Sequence, residues 1–360
     1  CAWGDAACII PWTLYKFYGD EILLAEQYPV MRDWVDYIFR VDEEQCGGSR
    51  LWSTGFHFAD WLALDNPDKT SSFGGTDNTY VATAFYYYSA MLTAKAAYVL
   101  GIRQDARAYR QLAKEIKAAF RRKYFDSKGD LMVKTQTAMV LALYFKLAPK
   151  SARKKIAGEL KKNIRSHGMH LTTGFVGTCY LCLALSEMGM DQEAYSLLLQ
   201  EEYPGWLYEV NMGATTVWER WNSILPDGHI SDTGMNSLNH YAYGVIAEWM
   251  YRCMCGLNPA EKGPGFMRAV IAPKPDRRLG FARCSYDSAR GLYESGWEWK
   301  KKGILFQVRV PFNTRAKFIL PYRGKRIYLN GRRNRHLENK GKILLDPGSY
   351  EIFVEAGQKE

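Results

Sequence analysis

The chain has 360 residues and 11 Trp, 24 Tyr and 16 Phe, enough length to bury a large core and to hold two domains. Its net charge of +10 is lopsided: residues 1–260 carry 26 Lys+Arg against 28 Asp+Glu, and residues 261–360 carry 22 against 10. The basic excess is scattered along strand-like segments without a nucleic-acid-binding motif, so a solvated surface fits better than a nucleic-acid site. No apolar run is long enough to span a bilayer, so no membrane partner is expected either.

From the N-terminus, residues 6–255 read as helices, because apolar residues recur at three- and four-residue spacing between Gly and Pro punctuation. The spacing predicts helices over 6–18, 20–41, 77–100, 103–124, 135–147, 149–167, 174–189, 191–201 and 238–254. Segments 6–18, 77–100, 135–147, 174–189 and 238–254 are apolar nearly all round, which predicts burial on every side. Segments 20–41, 103–124 and 149–167 carry one strongly charged face, and Pro149 is expected to open the last of them. Buried helices alternating with amphipathic ones are what a double ring produces. A closed (α/α)6 barrel needs six inner helices and five are counted, so the first part of the ring is expected upstream of Cys1.

After Asn258-Pro259 the period changes. Residues 268–272, 292–300, 303–311, 315–321, 326–330 and 342–355 alternate, with turn residues at Leu329-Asn330-Gly331 and Asp346-Pro347-Gly348. The expected organisation is therefore a mainly helical, N-terminally incomplete (α/α)6-barrel catalytic domain over 1–258 and an antiparallel β-sandwich over 259–360. No catalytic residue is expected in the second domain.

The chemistry concentrates at Glu219, in Ala214-Thr215-Thr216-Val217-Trp218-Glu219-Arg220-Trp221-Asn222-Ser223. Tryptophan faces stack on the apolar faces of sugar rings, and a carboxylate among them can move protons at a glycosidic bond. An ion pair with Arg220 is the alternative, but chain neighbours usually point different ways. Loops rich in polar and aromatic residues precede the inner helices: Trp3-Gly4-Asp5, Phe56 to Leu62, Thr172 to Thr178, and Asn236 to His240. Their common placement lets them face one cleft. Trp3, Asp5, Asp60, Trp61, Trp218, Trp221 and His240 are the candidate substrate-binding residues. Asp5 and Asp20 are equally well read as helix caps, Thr172 and Thr173 as turn or capping residues, and His57 as aromatic packing. No cofactor or metal is called for.

The eight cysteines do not form a disulfide framework. Cys8, Cys179, Cys182, Cys253 and Cys255 lie in apolar runs, and Cys179 and Cys182 lack the second ligand pair of a zinc site. Buried free thiols favour a reducing compartment, hence the cytoplasm.

At these residues a family resemblance becomes specific. Ala2 to Trp12, Asp60-Trp61-Leu62-Ala63-Leu64-Asp65, Thr172 to Thr178, Thr215 to Ser223 and Met235 to Gly244 resemble, in order, stretches of the bacterial α-L-rhamnosidases of glycoside hydrolase family 78. The resemblance covers essentially the whole chain. It implies an (α/α)6 barrel and inverting removal of terminal α-L-rhamnosyl groups from a small molecule or polysaccharide. It implies Glu219 as general base, Trp3 and Trp61 bordering the sugar pocket, and His240 touching the sugar. The family's general acid lies in a segment with a Cys-Pro dipeptide, which this sequence lacks, so the acid is expected upstream of Cys1. Residues 1–360 alone are accordingly expected to cleave natural rhamnosides poorly. Two other readings stay open: a different (α/α)6 glycosidase or polysaccharide lyase, and a non-catalytic carbohydrate-binding homologue.

Overall fold

The structure is a computed structural model that describes all residues except 69, 233, 323, 325 and 357–360. Its chain divides into two compact units, one of Cys1–Trp12 with Ala25–Ile246 and one of Thr13–Leu24 with Ala247–Glu360. The sequence boundary at 258/259 falls inside a short strand, Leu257–Pro259.

The helical unit is built from hairpins. Its helices are α1 (Ala6–Tyr18), α2 (Glu21–Gln45), α3 (Asn78–Val99), α4 (Arg103–Tyr124), α5 (Gln136–Tyr144), α6 (Arg153–Ser166), α7 (Phe175–Glu187), α8 (Asp191–Leu198) and α9 (Trp206–Asn211). Both α1 and α2 begin or end in the other unit. Helix α3 pairs with α4, α5 with α6 and α7 with α8, while α3, α5, α7 and the turn at 242–245 pack in succession. Every residue of α5 from Gln136 to Leu143 is buried, and α3 is buried from Tyr80 to Tyr87. Helix α4 instead buries one stripe: Ala106, Tyr109, Leu112, Ala113, Ile116, Ala119, Phe120 and Tyr124. That stripe follows the helical period and turns the Arg and Lys side chains outward. The inner and outer character expected from sequence therefore holds for these hairpins.

Three helix expectations need correction, and one helix lies outside them. Helix α1 buries Cys8, Pro11 and Tyr15 but exposes Ile10 and Tyr18, so it is covered on one face only. Segment 149–167 becomes helical only at Arg153, because Pro149 belongs to a preceding turn closed by Ala152 N–H on Pro149 O. Segment 238–254 is not one α-helix. It runs through a 3₁₀ turn (Ala242–Val245), a single α-turn, α10 (Ile246–Trp249), and a π-turn (Met250–Met254), and its faces at Tyr241 and Tyr251 are exposed. Helix α9 is too short for a periodic signal and was not expected.

The β unit holds two sheets. One has strand order β1-β2-β6-β9, from β1 (Leu257–Pro259), β2 (Arg268–Ile271), β6 (Arg315–Ile319) and β9 (Lys342–Leu345). The other has order β3-β4-β5-β10-β7-β8, from β3 (Phe281–Ser288), β4 (Gly291–Lys300), β5 (Gly303–Val310), β10 (Gly348–Glu355), β7 (Ile327–Leu329) and β8 (Arg332–Arg333). All pairs are antiparallel except β2 with β6, which departs from the purely antiparallel expectation. The run 342–355 splits at Asp346-Pro347 and sends its halves to different sheets. Strand β3 escaped sequence reading because its inward row, Ala282, Cys284, Tyr286 and Ser288, is small or polar. A short helix, α11 (Arg335–Lys340), follows β8.

Alternation places Trp297, Ile304, Phe306, Val308, Ile352 and Val354 in the core of this unit. Phe306 meets Phe318 of the other sheet edge-on at 5.5 Å between ring centres. Phe306→Ala is expected to lower the unfolding free energy by about 3–5 kcal/mol in denaturant titration of the β unit's transition. A loss under about 1 kcal/mol would mean that the sheets do not meet there.

Candidate active site

The Glu219 loop is fixed by its backbone. Glu219 N–H donates to Ser237 O at 2.8 Å, and His240 N–H donates to Val217 O at 2.8 Å. Thr216 Oγ1 donates to Leu238 O. Residues 216–219 are thus laced to residues 237–240. The Glu219 side chain bends back, and its Oε2 accepts from Ser237 N–H at 3.1 Å. The lacing leaves Glu219 Oε1 4.0 Å from His240 Nε2, with the side chains 17% and 34% exposed. Glu219 is held and partly solvated, with Oε2 on Ser237 N–H and Oε1 facing His240.

The two flanking tryptophans do something else. Trp218 and Trp221 are 2% and 1% exposed. Trp221 stacks on Tyr243 with ring centres 4.0 Å apart, and Trp206 of α9 meets Trp221 edge-on at 5.2 Å. Trp206 Nε1 donates to Tyr243 O at 2.9 Å. The segment buries Trp218 and leaves its neighbour Glu219 partly solvated. These rings were expected as sugar platforms; the structure buries them as the loop's foundation.

A row of aromatic rings runs nearby, with Trp3 and Phe58 exposed and Phe175 buried. Trp61 meets Phe58 at 5.3 Å between ring centres, Phe58 meets Trp3 at 4.7 Å, Trp3 meets Phe175 at 6.5 Å, and Phe175 stacks on His240 at 5.1 Å. The row ends at Glu219 through His240. A cavity of about 290 Å³ opens beside it, lined by Trp3, Ile9, Phe85, Phe175, Tyr180 and His240. Trp3, Trp61, His240 and Glu219 are therefore brought together. Phe58 and Phe175 complete the row, and the signal that could have found them is their position in the same pre-helix loops.

Asp5 and Asp60 do not join it. Asp5 is wholly buried and accepts from Ala2 N–H at 2.7 Å, Ser89 Oγ at 2.6 Å and Trp34 Nε1 at 3.0 Å. Asp60 is buried and accepts from Gly174 N–H and Gly177 N–H, both at 2.9 Å, and from the Thr137 hydroxyl. Gly174 and Gly177 begin α7, so Asp60 caps that helix from another loop, where the dipole favours negative charge. A Cβ on Gly174 would lie 2.2 Å from Trp61 O, which is why glycine stands there. Burial pushes the Asp60 carboxyl up to about 6, against the three donors that hold it down. Both carboxylates were expected at the sugar; the structure buries each and gives it three protein donors. Asp20 does cap α2, through Leu23 N–H at 2.8 Å. Thr172 and Thr173 are buried at the turn, Thr173 Oγ1 lying 2.8 Å from Thr178 Oγ1. His57 packs edge-on against Trp52 at 4.6 Å, and burial holds its imidazole down at about 4.

The fold is that of a six-hairpin glycosidase domain followed by a β-sandwich, with a partly buried carboxylate beside an aromatic row. A family model for the bacterial alpha-L-rhamnosidase 6 hairpin glycosidase domain matches residues 1–254, and one for the bacterial alpha-L-rhamnosidase C-terminal domain matches 256–333. The chain belongs to the bacterial α-L-rhamnosidase family. It is 39% identical over 323 residues to an alpha-L-rhamnosidase of Alteromonas sp. (strain LOR), covering 89% of this chain and 34% of that one. A Formosa agariphila alpha-L-rhamnosidase is 37% identical, covering 97% and 38%. The crystal structure of a Streptomyces avermitilis alpha-L-rhamnosidase complexed with L-rhamnose aligns with TM-score 0.85 at 33% identity, covering 97% and 32%. The chain spans about a third of the length of the curated relatives it matches.

Asp60→Ala is expected to destabilise the helical unit by at least about 2 kcal/mol, since it strands buried donors. Thermal unfolding with and without the substitution measures this. Unchanged stability with lost sugar binding would restore Asp60 to the sugar pocket.

Proposed function

We propose that the protein acts on α-L-rhamnosides by inverting hydrolysis, with Glu219 as general base. The juxtaposition of Glu219 with His240 at the end of the aromatic row is the observation that carries this reading. The sugar lies against Trp3, Phe175 and Trp61, its methyl group on the aromatic surface, while His240 offers its ring hydroxyls a polar partner. Glu219 takes a proton from water as the water oxygen bonds to the anomeric carbon, and the glycosidic oxygen departs from the opposite face. That departure calls for a second carboxyl about 6.5–9.5 Å from the first. Asp5 and Asp60 are unsuited to it, and the proposal assigns no general acid among the described residues. This favours one rival, sugar binding without turnover. The chemistry belongs to residues 1–258, with 259–360 as a non-catalytic domain. A reducing, cytoplasmic setting is part of the proposal, supported by the burial of Cys8, Cys182 and Cys255 in apolar surroundings.

An activated aryl rhamnoside isolates the base, because its leaving group needs little protonation. Glu219→Gln is expected to lower its turnover by at least about 10²-fold with unchanged thermal stability. Near-normal turnover would remove Glu219 from the reaction, and no turnover by the unaltered chain alongside measurable rhamnose binding would favour the binding-only rival. Trp61→Ala and His240→Ala should each weaken L-rhamnose binding in calorimetry; unchanged affinity in both would place the sugar elsewhere.

A further inference from the structure

Beneath the Glu219 loop lies a carboxyl group that the proposed reaction does not use. Glu209, on α9, is 3% exposed, and its Oε2 accepts from Trp218 N–H at 3.2 Å. Trp218 is the residue immediately before Glu219. The other oxygen, Oε1, is buried without a hydrogen-bond partner among the described residues, as are Arg220 Nε, Trp221 Nε1 and Tyr243 OH. Such a cluster under one loop is either strained or hydrated by trapped water.

We infer that Glu209 is a positioning residue for the Glu219 loop: its uncharged carboxyl anchors the Trp218 amide from below, and ionising it opens the loop. Tyr208 on its own helix is engaged with Ile224 O. Around the Tyr243 hydroxyl gather Asp60, Tyr203, Glu209 and Arg220, so these are the charged and titratable groups of the neighbouring segments. None of them stabilises a Glu209 anion: burial pushes this carboxyl up to about 8, and only the Trp218 amide opposes it. A carboxyl raised above its ordinary 4.5 contributes its full stability below that value and loses it as pH rises through about 8. Near pH 9 the charge calls for water at Oε1, and the segment that Glu209 holds through Trp218 N–H is the one expected to give way. Glu219 would move with it.

The loop-anchoring part is independent of the rhamnoside reading; its consequence for sugar binding rests on that reading. Hydrogen–deuterium exchange of residues 214–223 is compared between the unaltered chain and Glu209→Gln, an uncharged isostere, at pH 6.5 and 9. The ratio of the two rates at each pH cancels the intrinsic pH dependence of exchange. The unaltered loop is expected to exchange about thirtyfold faster relative to Glu209→Gln at pH 9 than at pH 6.5, since the ionised fraction of a carboxyl at about 8 rises by about that factor between the two. A ratio independent of pH overturns the inference. L-rhamnose affinity should fall with the same pH profile in the unaltered chain, and Glu209→Gln should remove that fall. A loop that opens while affinity holds also overturns the positioning role. Absence of L-rhamnose binding by either chain at both pH values would contradict the rhamnoside reading instead, with exchange still deciding the anchor.

Discussion

The lacing of residues 216–219 onto 237–240 is the constraint on which the site depends. Two backbone hydrogen bonds set its register, from Glu219 to Ser237 and from His240 to Val217. Trp218 and Trp221 are buried, while Glu219 beside them stays partly solvated. Turning Trp218 to solvent would cost about 3–5 kcal/mol by analogy with Trp truncation. Burial of the two indoles thus fixes where Glu219 points.

The aromatic row depends on a second tie of the same kind. Its members come from three loops, and the Asp60 carboxylate holds two of them. Asp60 sits one residue before Trp61 and grips the start of α7, where Phe175 begins. Phe175 N–H in turn donates to Trp61 O at 2.9 Å, and Leu64 N–H to Thr172 O at 2.9 Å. Asp5 plays a comparable part for the Trp3 loop by joining Ala2, Trp34 and Ser89. Buried carboxyl groups are costly unless hydrogen-bonded, and each of these takes three donors. The aromatic row is a set of loop side chains tied together by them.

What was legible in the sequence follows from which signals are periodic. Helices α3, α4, α5 and α7 were readable because burial on all sides or one stripe leaves a pattern over many residues. The sequence likewise brought Trp3, Trp61, Glu219 and His240 to one place, since each sits in a loop before an inner helix. It took Trp218, Trp221, Asp5 and Asp60 for substrate-binding residues, and the structure buries all four. Residue type reveals that a tryptophan or aspartate is important but not which way it faces, and both faces of a catalytic loop use the same residues. Glu209 went unnoticed for the complementary reason: on a six-residue helix, a glutamate destined for burial looks like any surface glutamate. The 3₁₀, α and π turns of 242–254 share one apolar composition, and no period distinguishes them.

The most direct test is a crystal structure of the chain soaked with L-rhamnose. The sugar is expected against Trp3 and Phe175, with a ring hydroxyl in hydrogen-bond reach of His240 and the anomeric carbon facing Glu219 across one water. Density for the sugar at a site remote from Glu219, or hydroxyl contacts to an Asp5 or Asp60 released from its present donors, would contradict the placement of the reaction at Glu219.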